Sequence, residues 1–353
     1  MSRRAVLPDA RRRAVTAVLG RQWGRPPARA VGAAYAPANV ALVKYWGKRD
    51  EVLNLPNTDS LSLSLGPLGT WTSIRPSDRD RFRMNGRCLA ANDPACTRLR
   101  AYLDLFRGPE CPAFEVESRN TVPTAAGVAS SASAYASIAI ALDMLFGWRL
   151  APGELSVLAR LGSGSAARSI ALGFVRWRRG RRSDGLDSRA EPLSATWPGL
   201  RVGLWMVRRG AKAVGSREAM RRCGRTSPLY AAWPATVAAD LREVLAALRA
   251  RDLERLGTAA EGNALAMHAT MIAARPPVIY WTGATLRALA EVAALRREGV
   301  AVWATMDAGP NLKLLFEVRE ERALRERIPA LRIVDPWDVR DAGAGGAEMP
   351  GVE

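Results

Sequence analysis

Pro123-Thr-Ala-Ala-Gly-Val-Ala-Ser-Ser-Ala132 is the segment of this chain with the plainest chemical meaning. Its side chains are small, and it runs into the Ala-rich apolar stretch from Ser133 to Leu142. Small residues let an anion reach the backbone. A helix opening near Ser130 aims its free N–H groups and the positive end of its dipole at that anion. The segment has the physics of a phosphate cradle. It lacks the Lys of the G-x-x-x-x-G-K-[ST] loop, so positive charge on the phosphates has to come from elsewhere in the fold or from a metal ion. Read alone, a tight strand-to-helix turn explains it as well.

Three more segments suit anions or acid–base work. Lys44-Tyr-Trp-Gly-Lys-Arg-Asp50 combines cations with a phenol around Gly47. Lys supplies a point charge and Tyr a neutral donor, although a solvent-exposed loop rim has the same composition. Gly162-Ser-Gly-Ser-Ala-Ala-Arg168 reads as a second cradle, with hydroxyls at Ser163 and Ser165. Arg168 is expected to face back toward Ser165 or Gly164, its fork matched to a carboxylate. The plainer alternative is a helix capped by Ser163 with Arg168 on the surface. Met306-Asp-Ala-Gly-Pro-Asn311 puts an acid at the end of an apolar strand. Asp307 there suits a general base or an acceptor for a substrate hydroxyl, or else a turn in which it caps Gly309. His268 follows apolar Leu265 to Met267 and reads as a satisfied, partly buried histidine rather than a catalyst. Together the segments point to more than one polyanionic ligand, most economically a nucleotide and a phosphorylated substrate, with Asp307 as acid–base partner.

The elements that must position these residues follow from periodicity. Ala33 to Val43, Ser60 to Leu65, Trp71 to Arg75, Arg81 to Met84 and Phe114 to Ser118 read as strands, with Asn85-Gly86 a hairpin turn. Asp93 to Phe106, the Ala-rich stretch and Pro152 to Leu161 read as helices, and Gly162-Ser-Gly-Ser165 opens another short one. Gly173 to Arg178 and Ala190 to Trp197 suggest a hairpin around Ser183 to Ser188, followed by a strand from Leu200 to Val207. Beyond Gly210 long amphipathic helices dominate, over Pro228 to Arg249, Asp252 to Ala273 and Gly283 to Glu298. Strands Val300 to Met306 and Leu312 to Val318 then flank Asp307. Strands and helices mix without regular βαβ alternation, which predicts an α+β fold in two domains. The expected divisions are a basic N-terminal extension over 1–29, dispensable for chemistry, then domains over 30–208 and 209–340, and a flexible tail over 341–353.

Bulk properties narrow the class. The chain has 353 residues, 48% hydrophobic and 24% charged, enough for two cored domains. No apolar run reaches the roughly 20 residues of a membrane span, so no membrane partner is expected. The four cysteines show no C-x-x-C spacing and there is one histidine, which argues against Cys/His zinc and disulfide frameworks and for a reducing cytoplasm. The net charge of +18 is spread along the chain. Without aromatic–basic interleaving it reads as arginine-rich solvated surface, and nucleic acid is not the expected partner.

These segments, in this order, resemble the diphosphomevalonate decarboxylase family of the GHMP kinase superfamily. The resemblance runs from about residue 33 to 320. It is carried by Ala36-Pro-Ala-Asn39, Lys44 to Asp50, Pro123 to Ala132, Gly162 to Ser169, Asp184-Gly-Leu-Asp-Ser188, Thr226-Ser227 with Tyr230 and Trp233, Met267-His268 with Pro276-Pro277, and Asp307 to Asn311. It implies a ribosomal-S5-like N-terminal domain and a ferredoxin-like C-terminal domain with the site in the cleft between them. It also implies ATP as co-substrate, Mg2+, and decarboxylation of mevalonate 5-diphosphate to isopentenyl diphosphate. By the same resemblance Asp307 orients or deprotonates the C3 hydroxyl, Arg168 holds the C1 carboxylate, and Lys44 sits beside Asp307 and the transferred phosphoryl group. Tyr45, Lys48, Ser163, Gly164, Ser165 and Ser216 contact substrate. Pro123, Ala126, Gly127, Ala129, Ser130 and Ser131 cradle the nucleotide, with Ser130 also a metal ligand. A homodimer is allowed. The chain departs from the family at Thr58-Asp59-Ser60, where relatives usually read N-S-S or N-N-S in a loop shaping the nucleotide side. Rival readings are decarboxylation of mevalonate 5-phosphate or mevalonate 3,5-bisphosphate, a mevalonate-type kinase, and a basic RNA-binding protein on an S5-like fold.

Overall fold

The computed structural model describes residues 9–121, 130–210 and 212–338, with Ser130 by its backbone only. The expected cradle contacts of Pro123, Ala126, Gly127 and Ala129 lie outside the described residues, as do the Ser130 side chain and the tail.

The first unit contains α1 (Ala10–Leu19), β1 (Gly32–Val43), β2 (Lys48–Asp50), β3 (Leu55–Pro56), β4 (Ser60–Ser77), β5 (Arg81–Met84), β6 (Arg87–Cys88), α2 (Pro94–Leu103), β7 (Ala113–Asn120), α3 (Ser130–Phe146), α4 (Pro152–Gly162), a 3-10 turn (Gly164–Arg168), β8 (Phe174–Trp177) and β9 (Ala190–Pro192). Its main sheet runs β6-β5-β7-β4-β8-β9, with β1 also paired to β4. The second unit holds β10 (Leu200–Trp205), α5 (Ser216–Thr226), α6 (Trp233–Ala250), α7 (Leu253–Ile272), α8 (Gly283–Arg297), β11 (Val302–Met306), β12 (Leu312–Glu317), α9 (Glu321–Arg327) and β13 (Arg332–Val334). Its sheet runs β11-β12-β10-β13. The molecule is thus α+β, as expected.

Two expectations change. The strands read at Ser60 to Leu65 and Trp71 to Arg75 are one, β4. Gly66, at φ +49°, lies in a bulge of β4: from Pro37 to Asn39 of β1 the paired residue on β4 steps from Gly69 to Ser64, so Leu65 to Leu68 are extra residues between two paired stretches. The expected boundary at 208 falls too late. β10 pairs with β12 and β13, so the chain has entered the second sheet by residue 200. Helical texture after Gly210 marked composition; hydrogen bonding decides membership.

The described part of the N-terminal segment carries a helix, α1, packed into the first unit. Asp9 caps α1 by accepting from the backbone N–H groups of Arg11 and Arg12. Ala14, Val15 and Leu19 are buried in the first unit's core. The Arg11 and Arg12 guanidiniums donate to the carbonyls of Leu161 and Asp104, each at 2.8 Å.

Helix α3 lies across β1 and β4. Its serines find partners in the sheet: Ser133 and Ser137 Oγ lie 2.7 Å from Thr70 and Thr72 Oγ1. These bonds hold the start of α3, the end of the cradle segment, to the sheet. A core shared by the two units packs Val40 and Leu42 of β1 with Leu204 of β10, Val237 of α6 and Leu256 of α7.

Candidate active site

One cavity of about 460 Å³ opens between the units. That size suits a small phosphorylated metabolite. Lys44, Tyr45, Lys48, Ser131, Ser163, Gly164, Ser165, Arg168, Ser216 and Asp307 all line it. Every expected substrate or catalytic residue is therefore brought together, from segments that span most of the chain.

Asp307 follows β11 and faces the end of β1. Its Oδ1 accepts from Lys44 Nζ at 3.2 Å and its Oδ2 from Lys313 Nζ at 2.9 Å. Both lysine side chains are 2% exposed and that of Asp307 is 26% exposed, so the carboxylate keeps a face on the cavity. Burial pushes the Asp307 pKa up. The ammonium charges of Lys313 and Lys44 outweigh it and hold the carboxyl far below the usual range. Burial draws Lys44 down to about 8, against the opposing pull of Asp307 and with help from Lys313. The alternative turn, with Asp307 capping Gly309, gives way to this ion-pair cluster.

The site is fastened from behind by α7. Asn263 Oδ1 accepts from the Lys44 backbone N–H at 2.7 Å, and its amide donates to Asp240 at 2.7 Å. His268 is satisfied, as expected, and more deeply buried than expected, with Nε2 3.1 Å from the Asp307 carbonyl oxygen. Burial holds its pKa at about 4, so it is neutral and donates Nε2–H to that carbonyl. Tyr230 ties in the loop after β1: its hydroxyl donates to the Trp46 carbonyl at 3.1 Å and accepts from Asn57 at 2.8 Å.

Arg168 does not face back toward Ser165 or Gly164. Its Nη1 donates to Ser60 Oγ at 2.7 Å and its Nη2 reaches Asn39 Oδ1 at 3.5 Å. The tight 3-10 turn carries the side chain across the sheet rather than along a helix face. Arg168 is 3% exposed, and its Nε has no hydrogen-bond partner among the described residues. Burial draws its pKa down to about 10, which leaves it charged at neutrality. Tyr45 Oη is likewise buried without a partner among the described residues. Burial raises its pKa above the usual phenol, so it remains a neutral donor. Buried donors left unpaired are costly, and a ligand anion satisfies them. Gly164 is required beside Tyr45: a Cβ there would stand 2.5 Å from Oη. Ser163 offers no side-chain cap to the turn. Its Oγ lies 3.3 Å from both Ser131 and Ser165 Oγ, which joins the two expected cradles.

Lys48 donates to Glu51 and Asn54 at 3.0 and 2.8 Å. Asp59, at the departure from the family pattern, pairs with Arg176 at 2.7 Å and accepts from the Arg179 backbone N–H at 2.8 Å. It fastens β8 to the start of β4. Sequence reading missed Lys313, Asn263 and Arg217, which donates to the Gly162 carbonyl at 3.1 Å while lining the cavity. Polar residues at apolar positions, Lys313 in Leu312 to Phe316 and Asn263 in an Ala-rich helix, were the available signals.

Residues 36–190 match the diphosphomevalonate decarboxylase-like N-terminal domain, and residues 203–334 match the mevalonate 5-diphosphate decarboxylase C-terminal domain. The diphosphomevalonate decarboxylase of Danio rerio is 37% identical over 297 residues, 78% of this chain and 73% of its own. A solved complex of MDDEF with MVAPP, AMPPCP and magnesium has a TM-score of 0.81 at 39% identity, covering 86% of this chain and 96% of that one. The mevalonate diphosphate decarboxylase of Enterococcus faecalis, solved for its mevalonate diphosphate mediated ATP binding mechanism, gives a TM-score of 0.80 at 38% identity over 86% and 96%. A GHMP-kinase-like fold, a cavity assembled from both units and these matches agree: the chain belongs to the diphosphomevalonate decarboxylase family.

Proposed function

We propose that this protein converts mevalonate 5-diphosphate and ATP to isopentenyl diphosphate, ADP, phosphate and CO2. The observation that carries the reading is the meeting of Asp307, Arg168 and the Ser163–Gly164 cradle in one cavity. A tertiary hydroxyl leaves poorly, so the C3 oxygen first takes a phosphoryl group from ATP. The C3–O bond then breaks with its electrons going to phosphate. The C1–C2 electrons form the alkene as CO2 departs.

In this reading Arg168 holds the C1 carboxylate, and its unpaired Nε supports that role. Tyr45, Lys48, Ser163 and Gly164 hold the substrate's diphosphate end, and Ser165 and Ser216 contact the substrate. Asp307 accepts a hydrogen bond from the C3 hydroxyl. Its strongly depressed pKa makes it an orienting group and a poor proton sink, so of the two expected roles orientation is the one we retain. Lys44 offers charge to the phosphoryl group in transit. The cradle from Pro123 to Ser131 holds the nucleotide.

Mg2+ fits as an ion carried by phosphates. No group of three or more His, Cys, Asp or Glu suited to a metal occurs among the described residues, and Mg2+ is commonly bound through phosphate oxygens and water. Ser130 is the proposed protein hydroxyl, and the ion supplies charge neutralisation on the phosphates. A cytoplasmic location and a homodimer complete the proposal.

The test is ATP-dependent CO2 release with mevalonate 5-phosphate, the 5-diphosphate and the 3,5-bisphosphate side by side. The 5-diphosphate is expected to give the highest kcat/KM. Preference for either other compound overturns the substrate assignment.

A further inference from the structure

Lys313 sits where strand alternation calls for an apolar side chain. β12 is interior to its sheet, between β11 and β10. Leu312, Leu314 and Phe316 enter the core beneath α8, while the alternate Leu315 joins the core shared by both units. Lys313 is on that second face and 1% exposed. An ammonium group is kept at such depth only against a large desolvation penalty. Its Nζ is 2.9 Å from Asp307 Oδ2, and the other carboxylate oxygen belongs to Lys44. The register makes this contact inevitable: Lys313 lies opposite Thr305, two residues before Asp307.

A carboxylate held by one oxygen can still turn about its last torsion, whose wells are broad. A cation on each oxygen fixes the plane. We propose that Lys313 is a positioning residue for the reaction: it locks Asp307 through Oδ2, so that Oδ1 stays with Lys44 and the substrate hydroxyl meets the carboxylate in one orientation. The kinetic consequence rests on the decarboxylase reading, whereas the electrostatic one rests on the geometry alone. Lys313 shares Asp307 with Lys44, so Lys44 releases its proton more readily than it would in a simple pair. Arg168, Lys212 and His268 also surround this cluster; the Lys313 charge lowers the pKa of Lys212 and His268 as it does that of Lys44, while Arg168 feels Asp307 and Tyr45.

The test compares Lys313→Met and Lys313→Arg with the parent protein. Lys313→Met is expected to lower kcat at least about tenfold while KM stays within about threefold, because misplacement of a reacting group acts on the rate. Lys313→Arg restores part of that loss. The thermal midpoint of Lys313→Met does not fall, since Asp307 keeps Lys44 as its counter-ion and the second buried cation is replaced by an apolar chain. In the absence of substrates, competitive acetylation of Lys44 read by mass spectrometry gives the pH at which its amine becomes reactive. Removing a neighbouring cation should raise that midpoint by about one unit. An unchanged kcat in an active parent, or an unchanged Lys44 midpoint, overturns the proposal. If the parent releases no CO2 from any of the three substrates, the decarboxylase reading fails, and the acetylation arm still decides the role of Lys313.

Discussion

At the scale of single residues, charge pairing decides what each group does at neutral pH. Asp307 stays ionised well below the usual carboxylate range and His268 stays neutral above about 4, so neither produces an acid limb near neutrality. Lys44 acts as a cation and its pKa in the free protein is lowered to about 8, so kcat/KM should fall as pH rises through that value. A pH–rate profile showing an acid limb near neutrality and none near 8 would contradict these assignments. Asp307→Asn keeps the shape but leaves Lys44 and Lys313 buried without their counter-ion. Turnover should drop by about 10³, typical of a lost charge-stabilising group, while calorimetry still detects substrate binding. Motif spacing made Lys44, Tyr45, Lys48, Arg168 and Asp307 legible. Lys313 and Asn263 were hidden because their signal is burial. A lysine in a strand reads as a solvent-facing residue until the strand is known to be interior.

At the scale of elements, close approaches set the site. Gly164 opens the 3-10 turn with Tyr45 packed against its Cα, so Gly164→Ala must displace the phenol. KM for the phosphorylated substrate is expected to rise about tenfold or more, the effect of one misplaced anion contact, with a smaller change in kcat. Equal KM values for parent and variant would remove Tyr45 from the anion grip. The N-terminal helix argues similarly. Val15 is fully buried, and Arg11 braces the carbonyl of Leu161, immediately before the cradle. Val15→Asp should cost about 3 kcal/mol or more in a denaturant titration, as burial of an unpaired charge does. Basic, Ala-rich composition had concealed this, because an arginine's guanidinium and its apolar stem point to different environments. Most strands and helices were legible from periodicity. The fusion of two strands into β4 and the membership of β10 were not, since both depend on partners distant in sequence.

At the scale of the whole molecule, the site exists only where the units meet. Lys44 and Asp307 are 263 positions apart, and no local pattern announces that the ammonium of one donates to the carboxylate of the other. Shared core packing of β1 with α6 and α7 fixes that meeting point, which makes the reaction a property of the assembled fold. The net charge of +18 belongs to this scale as well. Spread over the surface, it attracts polyanions of any kind, and both a diphosphate substrate and RNA would feel it. The two readings separate in salt. A long-range field is screened once the Debye length falls to about 10 Å near 0.1 M salt, so kcat/KM should decline several-fold between low and physiological ionic strength. The chemical step occurs among groups buried in the cavity, where added salt screens little, and kcat should hold constant. An RNA-binding protein would instead lose affinity as a steep power of salt concentration, and Asp307→Asn would leave that binding untouched. Steady-state CO2 release measured across salt, with RNA binding of parent and Asp307→Asn followed in parallel, distinguishes a charged surface that steers substrate from one that is itself the function.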